Sequence, residues 1–169
     1  LIFSLIFGKS AFCQFNFENP RIAIVISKTS FTHHWGVTQM SAHGWGGVVN
    51  LAGVPYDCYF AEDLTEDINL KKYDCLIFSQ CTYLTNAAYE KTVDVLENYL
   101  SEGGNLIIDG LIGYFDESTK ERNHSKLDQL LNMKYIGFYG DPDYRIKVKD
   151  NNQFITKNYL KGDFVTQHL

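Results

Sequence analysis

Three short apolar runs decide what this chain can fold into. Residues 21–27 (Arg-Ile-Ala-Ile-Val-Ile-Ser), 73–78 (Tyr-Asp-Cys-Leu-Ile-Phe) and 105–109 (Asn-Leu-Ile-Ile-Asp) each hold an unbroken apolar core. None of them alternates apolar with polar. Each therefore reads as a strand buried on both faces, which is how strands look in a parallel sheet covered by helices. The segments between them are long enough for crossover helices. Strands alternating with helical stretches predict an α/β fold with a doubly wound, mainly parallel sheet, a flavodoxin-like three-layer sandwich. In such folds all strand C-terminal ends share one rim, and ligands bind along it.

The remaining elements follow from local signals. Residues 28–36 read as a polar, aromatic loop. A helix is expected over 38–52 with Gly53 as its stop, although Gly44, Gly46 and Gly47 weaken it and imply close packing on the sheet. Residues 54–61 read as a strand and 63–72 as a connector with about one helical turn. Thr85 is a good N-cap for a helix that carries Tyr89, Val93, Leu96 and Leu100 on one stripe and ends at Gly103-Gly104. A second polar loop spans 113–123, and a short helix is expected over 125–132. Residues 135–139 and 144–149 read as late strands, the second as a candidate antiparallel edge, and 151–169 as an extended tail. The rim loops that matter are 28–36, 61–65, 79–85 and 109–123.

Composition narrows the partners. A net charge of −5, with Lys and Arg scattered singly or in pairs, supplies no basic stripe for nucleic acid. No run reaches the ~18 apolar residues of a membrane span. Residues 1–7 are almost wholly apolar, then Gly8, Lys9, Ser10 and Ala11 lead into Phe12-Cys13-Gln14. This reads as a signal-peptide remnant over 1–14, with cleavage between Cys13 and Gln14, and predicts an exported protein, periplasmic or extracellular. A lipid-modified Cys13 is the weaker version, because Phe12 is bulky. A hydrophobic first strand is the alternative. One α/β domain is then expected over 15–169, as a fragment of a longer chain. Cys58, Cys75 and Cys81 remain, an odd number that makes no disulfide framework. Cys58 and Cys75 fall inside strand patterns and read as core; a bridge between them is an open alternative under export.

Four stretches together resemble a known family. They are Tyr73-Asp74-Cys75-Leu76-Ile77-Phe78, Tyr83-Leu84-Thr85-Asn86, the run from Tyr99-Leu100-Ser101-Glu102-Gly103-Gly104 through Asn105-Leu106-Ile107-Ile108-Asp109-Gly110, and Asn152-Gln153-Phe154-Ile155-Thr156-Lys157. They are similar to the class I glutamine-amidotransferase-like superfamily, and most to the β-galactosidase trimerisation domain, a non-catalytic member within larger glycoside hydrolases. The resemblance covers residues 21–160. It implies the fold more firmly than any activity. It also implies a nucleophilic Cys on the turn after residues 105–109 in catalytic relatives. Here that turn is Asp109-Gly110-Leu111-Ile112, with no Cys, Ser or Thr to attack an amide carbon. The His-x-Glu pair expected near the C-terminus is not evident either; His168 is followed by Leu169.

The rim offers residues for other chemistry. Cys81 is a candidate nucleophile with His33 or His34 as base, against a plainer reading as a semi-buried loop cysteine. His33, His34 and His43 with Glu62 and Asp63 hold metal-ligand types, but not at the spacing of a zinc site, so no metal is expected. Asp109, Asp116 and Glu117 offer carboxylates for glycoside cleavage, against capping and turn roles. No phosphate loop is present, and no cofactor is expected. The aromatic set Phe31, Trp35, Trp45, Tyr83, Tyr114 and Phe115 falls in or near rim loops, where rings stack on sugars or anchor interfaces. Trp35, Tyr83, Tyr114 and Phe115 are the expected ligand contacts, and Trp45 is the one most expected in the core. The resulting expectation is a non-catalytic binding or assembly domain linked to carbohydrate metabolism, whose partner is a carbohydrate or another domain of the same chain. A hydrolase using Cys81 and Asp109 and a homo-oligomerisation module are the alternatives.

Overall fold

The computed structural model describes residues 3–6, 19–65, 68–132, 145–147 and 164–166. The chain forms two compact units, Leu1–Lys134 and Tyr135–Leu169, where the sequence reads as a single domain over 15–169.

The first unit is the α/β sandwich. Strands β2 (Ile22–Ile26), β3 (Tyr56–Phe60), β4 (Cys75–Ser79) and β5 (Asn105–Asp109) run parallel, and β1 (Phe3–Ile6) lies antiparallel on the far side of β5. The order across the sheet is β1-β5-β4-β2-β3. Phe3–Ile6 belongs to the apolar run that also reads as an export signal; here it serves as an edge strand. From β2 the chain moves outward to β3, then returns past β2 to β4 and continues to β5. Right-handed crossovers in these opposite directions place their helices on opposite faces.

Each face has its own core. On one, Val49 of α2 (Trp35–Leu51) packs on Ile24, Cys75 and Ile77, with Trp45 and Ile107 at its margin. On the other, Tyr89, Val93, Leu96 and Leu100 of α3 (Asn86–Ser101) pack on Ala23, Val25, Leu76, Phe78, Leu106 and Ile108. The stripe read at helical spacing is thus the buried face of α3. Thr85 caps it by accepting the Ala88 N–H at 3.1 Å. Thr85→Ala is expected to cost about 1 kcal/mol of stability in urea unfolding, the usual loss for such a cap. At the other end a Cβ on Gly104 would lie 2.2 Å from the Tyr99 ring, so only glycine fits that stop.

Residues 28–36 are not the expected loop. They form α1 (Lys28–His33) and the start of α2, which begins at Trp35 instead of 38. Short 3-10 turns at Ala61–Asp63 and Leu70–Lys72 occupy the connector to β4. A further helix, α4 (Ser125–Leu131), buries Leu127 and Leu131 and ends on Asn132 in left-handed conformation. Cys58 is not a core residue: it is exposed on β3, whereas Cys75 is buried. β2 runs between their strands, which separates them by two strand spacings, about 9.5 Å, beyond disulfide reach.

In the second unit, β6 (Arg145–Lys147) pairs antiparallel with β7 (Phe164–Thr166). The strand expected over 135–139 lies outside the described residues.

Candidate functional site

The strand order reverses between β2 and β4, so the crevice of this fold opens between their C-terminal ends. Two serines close it. Ser27, at the exit of β2, accepts the Ser30 N–H at 3.0 Å and caps α1. Its hydroxyl oxygen also lies 2.6 Å from the Tyr83 carbonyl. Ser30 accepts the Tyr83 N–H at 2.8 Å and donates to the Tyr83 carbonyl at 3.1 Å, clamping the loop after β4 against α1. Ser27, Ser30 and Cys81 are essentially inaccessible, and Tyr83 is buried.

Cys81, the first suspect as nucleophile, donates its thiol to the Val25 carbonyl at 3.4 Å beneath this clamp. Burial, then the charges of Glu62 and Asp109, push its thiol well above the usual range. An enclosed neutral thiol is a packing group, not an attacking one. His33 and His34 do not reach it; both rings lie on Tyr83 instead, at 4.8 and 5.2 Å between centroids.

Glu62, on the turn after β3, accepts the N–H groups of Lys28 at 2.9 Å and Thr29 at 3.0 Å, and lies 2.8 Å from the hydroxyls of Ser27 and Thr29. Burial raises its pKa, but the Thr29 and Lys28 N–H groups and the Ser27 hydroxyl outweigh that and hold the carboxyl below its ordinary value. Its stabilising contribution is therefore complete above the unfolded carboxylate pKa of about 4.3 and is lost as pH falls through the lower folded value. Glu62→Gln is expected to lower stability at neutral pH and to flatten the decline on acidification. Urea midpoints across the acid range check this; an equally steep decline in the variant counts against it.

The rim of β5 is tied as tightly. Asp109 is buried and accepts the Trp45 indole N–H at 3.0 Å and the Gln80 amide at 3.2 Å, and the Ser41 hydroxyl donates to it as well. Ser41 also bonds Ser79 at 2.6 Å. The carboxylate thus pins α2 to the ends of β4 and β5. Trp45, expected in the core, is half-buried and spends its one donor here. Gly110 follows at φ +95°, where a Cβ would stand 3.0 Å from Gln80 Oε1.

An aromatic row runs over the closed crevice. Tyr83 stacks on Phe115 at 5.1 Å, Tyr114 meets Phe115 edge-on at 4.8 Å, and Tyr114 stacks on His124 at 4.4 Å. His34 Nε2 lies 2.9 Å from the Tyr83 hydroxyl. The backbone of 113–115 runs along 81–84, with Gly113 N–H donating to Cys81 at 2.7 Å and Leu84 N–H to Phe115 at 3.1 Å. Three of the four expected contact residues, Tyr83, Tyr114 and Phe115, therefore come together. Trp35 stands 61% exposed at the start of α2. Asp116 is a turn residue whose carboxylate accepts the N–H groups of Ser118 and Lys120, and Glu117 accepts the Asn86 N–H. His43 is exposed on α2, and among the described residues no three His, Cys, Asp or Glu side chains converge as a metal site. A hollow of about 410 Å³ lies at the opposite end of the sheet, beside Asn69, Leu70, Asn98 and Tyr99.

Ser27, Ser30, Ser41 and Gln80 are not among the residues expected at the site. Ser27-x-x-Ser30 directly after a buried strand is a capping signal that was there to find. Nothing local marks Ser41 or Gln80 as partners of Asp109.

No family model matches the chain, and no curated protein matches it. Among solved structures, the β-galactosidase of Bifidobacterium adolescentis is similar, with a TM-score of 0.54 and 15% identity. The likeness covers 79% of this chain and 64% of that one, so just under two-thirds of the solved chain is matched. At this identity it shows the fold alone: an α/β sandwich with a parallel four-stranded sheet.

Proposed function

We propose that this chain is a non-catalytic binding or assembly domain of an exported protein linked to carbohydrate metabolism, similar to the β-galactosidase trimerisation domain. The observation that carries this reading is the closed crevice. At the switch point between β2 and β4, where this fold binds ligands, Ser27, Ser30, Cys81 and Tyr83 fill the space with their own contacts. The turn where catalytic relatives hold a thiolate offers only Asp109, whose carboxylate is engaged by Ser41, Trp45 and Gln80. The carbohydrate link is supported by the fold likeness to a β-galactosidase and by the aromatic row, whose partly exposed rings Tyr114 and Phe115 have the apolar faces that sugars stack on. Export is supported by the apolar run and small residues of 1–14, and cleavage there would remove β1 and leave β5 as the sheet edge.

The test is a turnover screen of the full chain with chromogenic β-galactosides, activated esters and glutamine, alongside Cys81→Ser and Asp109→Asn variants whose folding is checked by circular dichroism. No turnover above buffer is expected. Turnover that either folded variant abolishes would replace this reading with the hydrolase.

A further inference from the structure

The hollow at the end of the sheet away from the crevice lies between the turn at Leu70–Lys72 and the end of α3. Its volume of about 410 Å³ is that of a small-molecule site. Leu70 and Tyr99 are buried and form its floor, with the half-buried Ile68 and Val95 beside them. The Tyr99 ring is fixed in place. Its hydroxyl donates to the Tyr73 carbonyl at 3.1 Å and accepts the Asn105 N–H at 3.2 Å, and the missing side chain of Gly104 leaves room for the ring. A floor held in this way receives a ligand without rearranging.

Two exposed asparagines stand at the mouth. Asn69 Oδ1 accepts the Lys71 N–H at 3.2 Å, which orients the amide and leaves its NH2 group to donate. Asn98 lies in the last turns of α3, although asparagine is a poor helix former. Its amide has no hydrogen-bond partner among the described residues, so neither the helix nor the core explains it. Lys71 is spent on Glu102 at 2.6 Å, across the mouth from no other described charge of the lining. Glu66-Asp67, beside Ile68 in the chain, add nothing that would hold an anion.

We propose that this hollow binds a single neutral sugar ring, its apolar face on Ile68, Val95 and Tyr99 and its hydroxyls on Asn69 and Asn98. A pyranose carries C–H groups on one face and, around its edge, hydroxyls that each donate and accept. A primary amide offers a donor and an acceptor side by side, which matches two neighbouring hydroxyls. A wholly apolar ligand would leave both amides idle, and an anion would find no free cation among the described lining residues. The hollow is separate from the sealed crevice and from the aromatic row, so closure of the crevice does not block it. The proposal rests on the carbohydrate link above and adds to it a ligand class and a place.

Titration of the full chain with methyl β-galactopyranoside and methyl β-glucopyranoside, followed by amide NMR that includes the asparagine side chains, tests it. Saturable shifts are expected in the Asn69 and Asn98 side-chain amides and in the backbone of 68–71 and 98–102, with a Kd of about 1 mM for a ligand of this size. Asn98→Ala and Asn69→Ala should each weaken binding about tenfold, the loss of one hydrogen-bonding amide, and Asn98→Ala should leave the urea midpoint in place. Binding that both variants leave intact would overturn the hollow as the site. Shifts confined to Tyr114, Phe115 and their neighbours would do the same while leaving the carbohydrate link standing. No shift anywhere would overturn both. Equal shifts at the hollow with ethanolammonium chloride would overturn the neutral ligand.

Discussion

Phe78→Ala is expected to destabilise the protein by about 3–5 kcal/mol, enough to lower the melting temperature by roughly 10 °C. Phe78 is fully buried in β4, the central strand of the sheet, and belongs to the larger core beneath α3. Removing the ring forfeits its transfer free energy and leaves a cavity that β2 and β5, fixed on either side by their ladders, cannot close. Phe78→Leu, which keeps most of the volume, should lose under half as much. Thermal and urea unfolding of the two variants decide the matter; equal losses would mean that the strand, not the packing, is what the substitution breaks.

Asp109→Ala is expected to cost about 3 kcal/mol. The loss comes from partners left behind, because the Trp45 indole, the Gln80 amide and the Ser41 hydroxyl all address this one carboxylate. A buried donor without an acceptor costs about 1–3 kcal/mol, and more when its partner was charged. Asp109→Asn keeps one acceptor oxygen and should retain part of the stability. A cycle with Trp45→Phe isolates the indole: the two substitutions together should cost clearly less than the sum of each alone. Full additivity would show that Asp109 does not tie α2 to the rim.

Much of the fold is legible in the sequence where one local signal suffices. The runs at Ile22–Ile26, Cys75–Ser79 and Asn105–Asp109 are buried on both faces, so no alternation disguises them. The α3 helix has its cap at Thr85, its stripe and its glycine stop within a single stretch of chain. What is not legible depends on distant partners. Residues 28–33 (Lys-Thr-Ser-Phe-Thr-His) have little helix propensity, and Glu62, more than thirty residues away, supplies the acceptor that settles the first turn of α1. Cys58 reads as core because its strand is apolar enough; its register partner Ile24 is buried, but at the sheet edge Cys58 is left uncovered. Residues 3–6 suit an edge strand and an export signal equally, since both need only a short apolar run.

The site divides the same way. Tyr83, Tyr114 and Phe115 are grouped by the rule that rim loops meet at strand ends, and they do meet. Their joining with His33 and His34 follows from α1, which the sequence does not announce. Asp109 stands out as a strand-end carboxylate, but its role is fixed by Ser41 and Trp45, 68 and 64 residues earlier.

Native-state covalent labelling, read by peptide mass spectrometry, reaches the centre of this picture. The folded chain is treated at mildly alkaline pH with a small thiol reagent and, separately, with a broad serine- and carboxyl-reactive electrophile. Cys58 should be modified, Cys75 and Cys81 should react only after denaturation, and the turn at 109–113 should stay unmodified. Rapid modification of Cys81 in the folded protein, or an adduct on that turn, would contradict a crevice sealed by its own side chains.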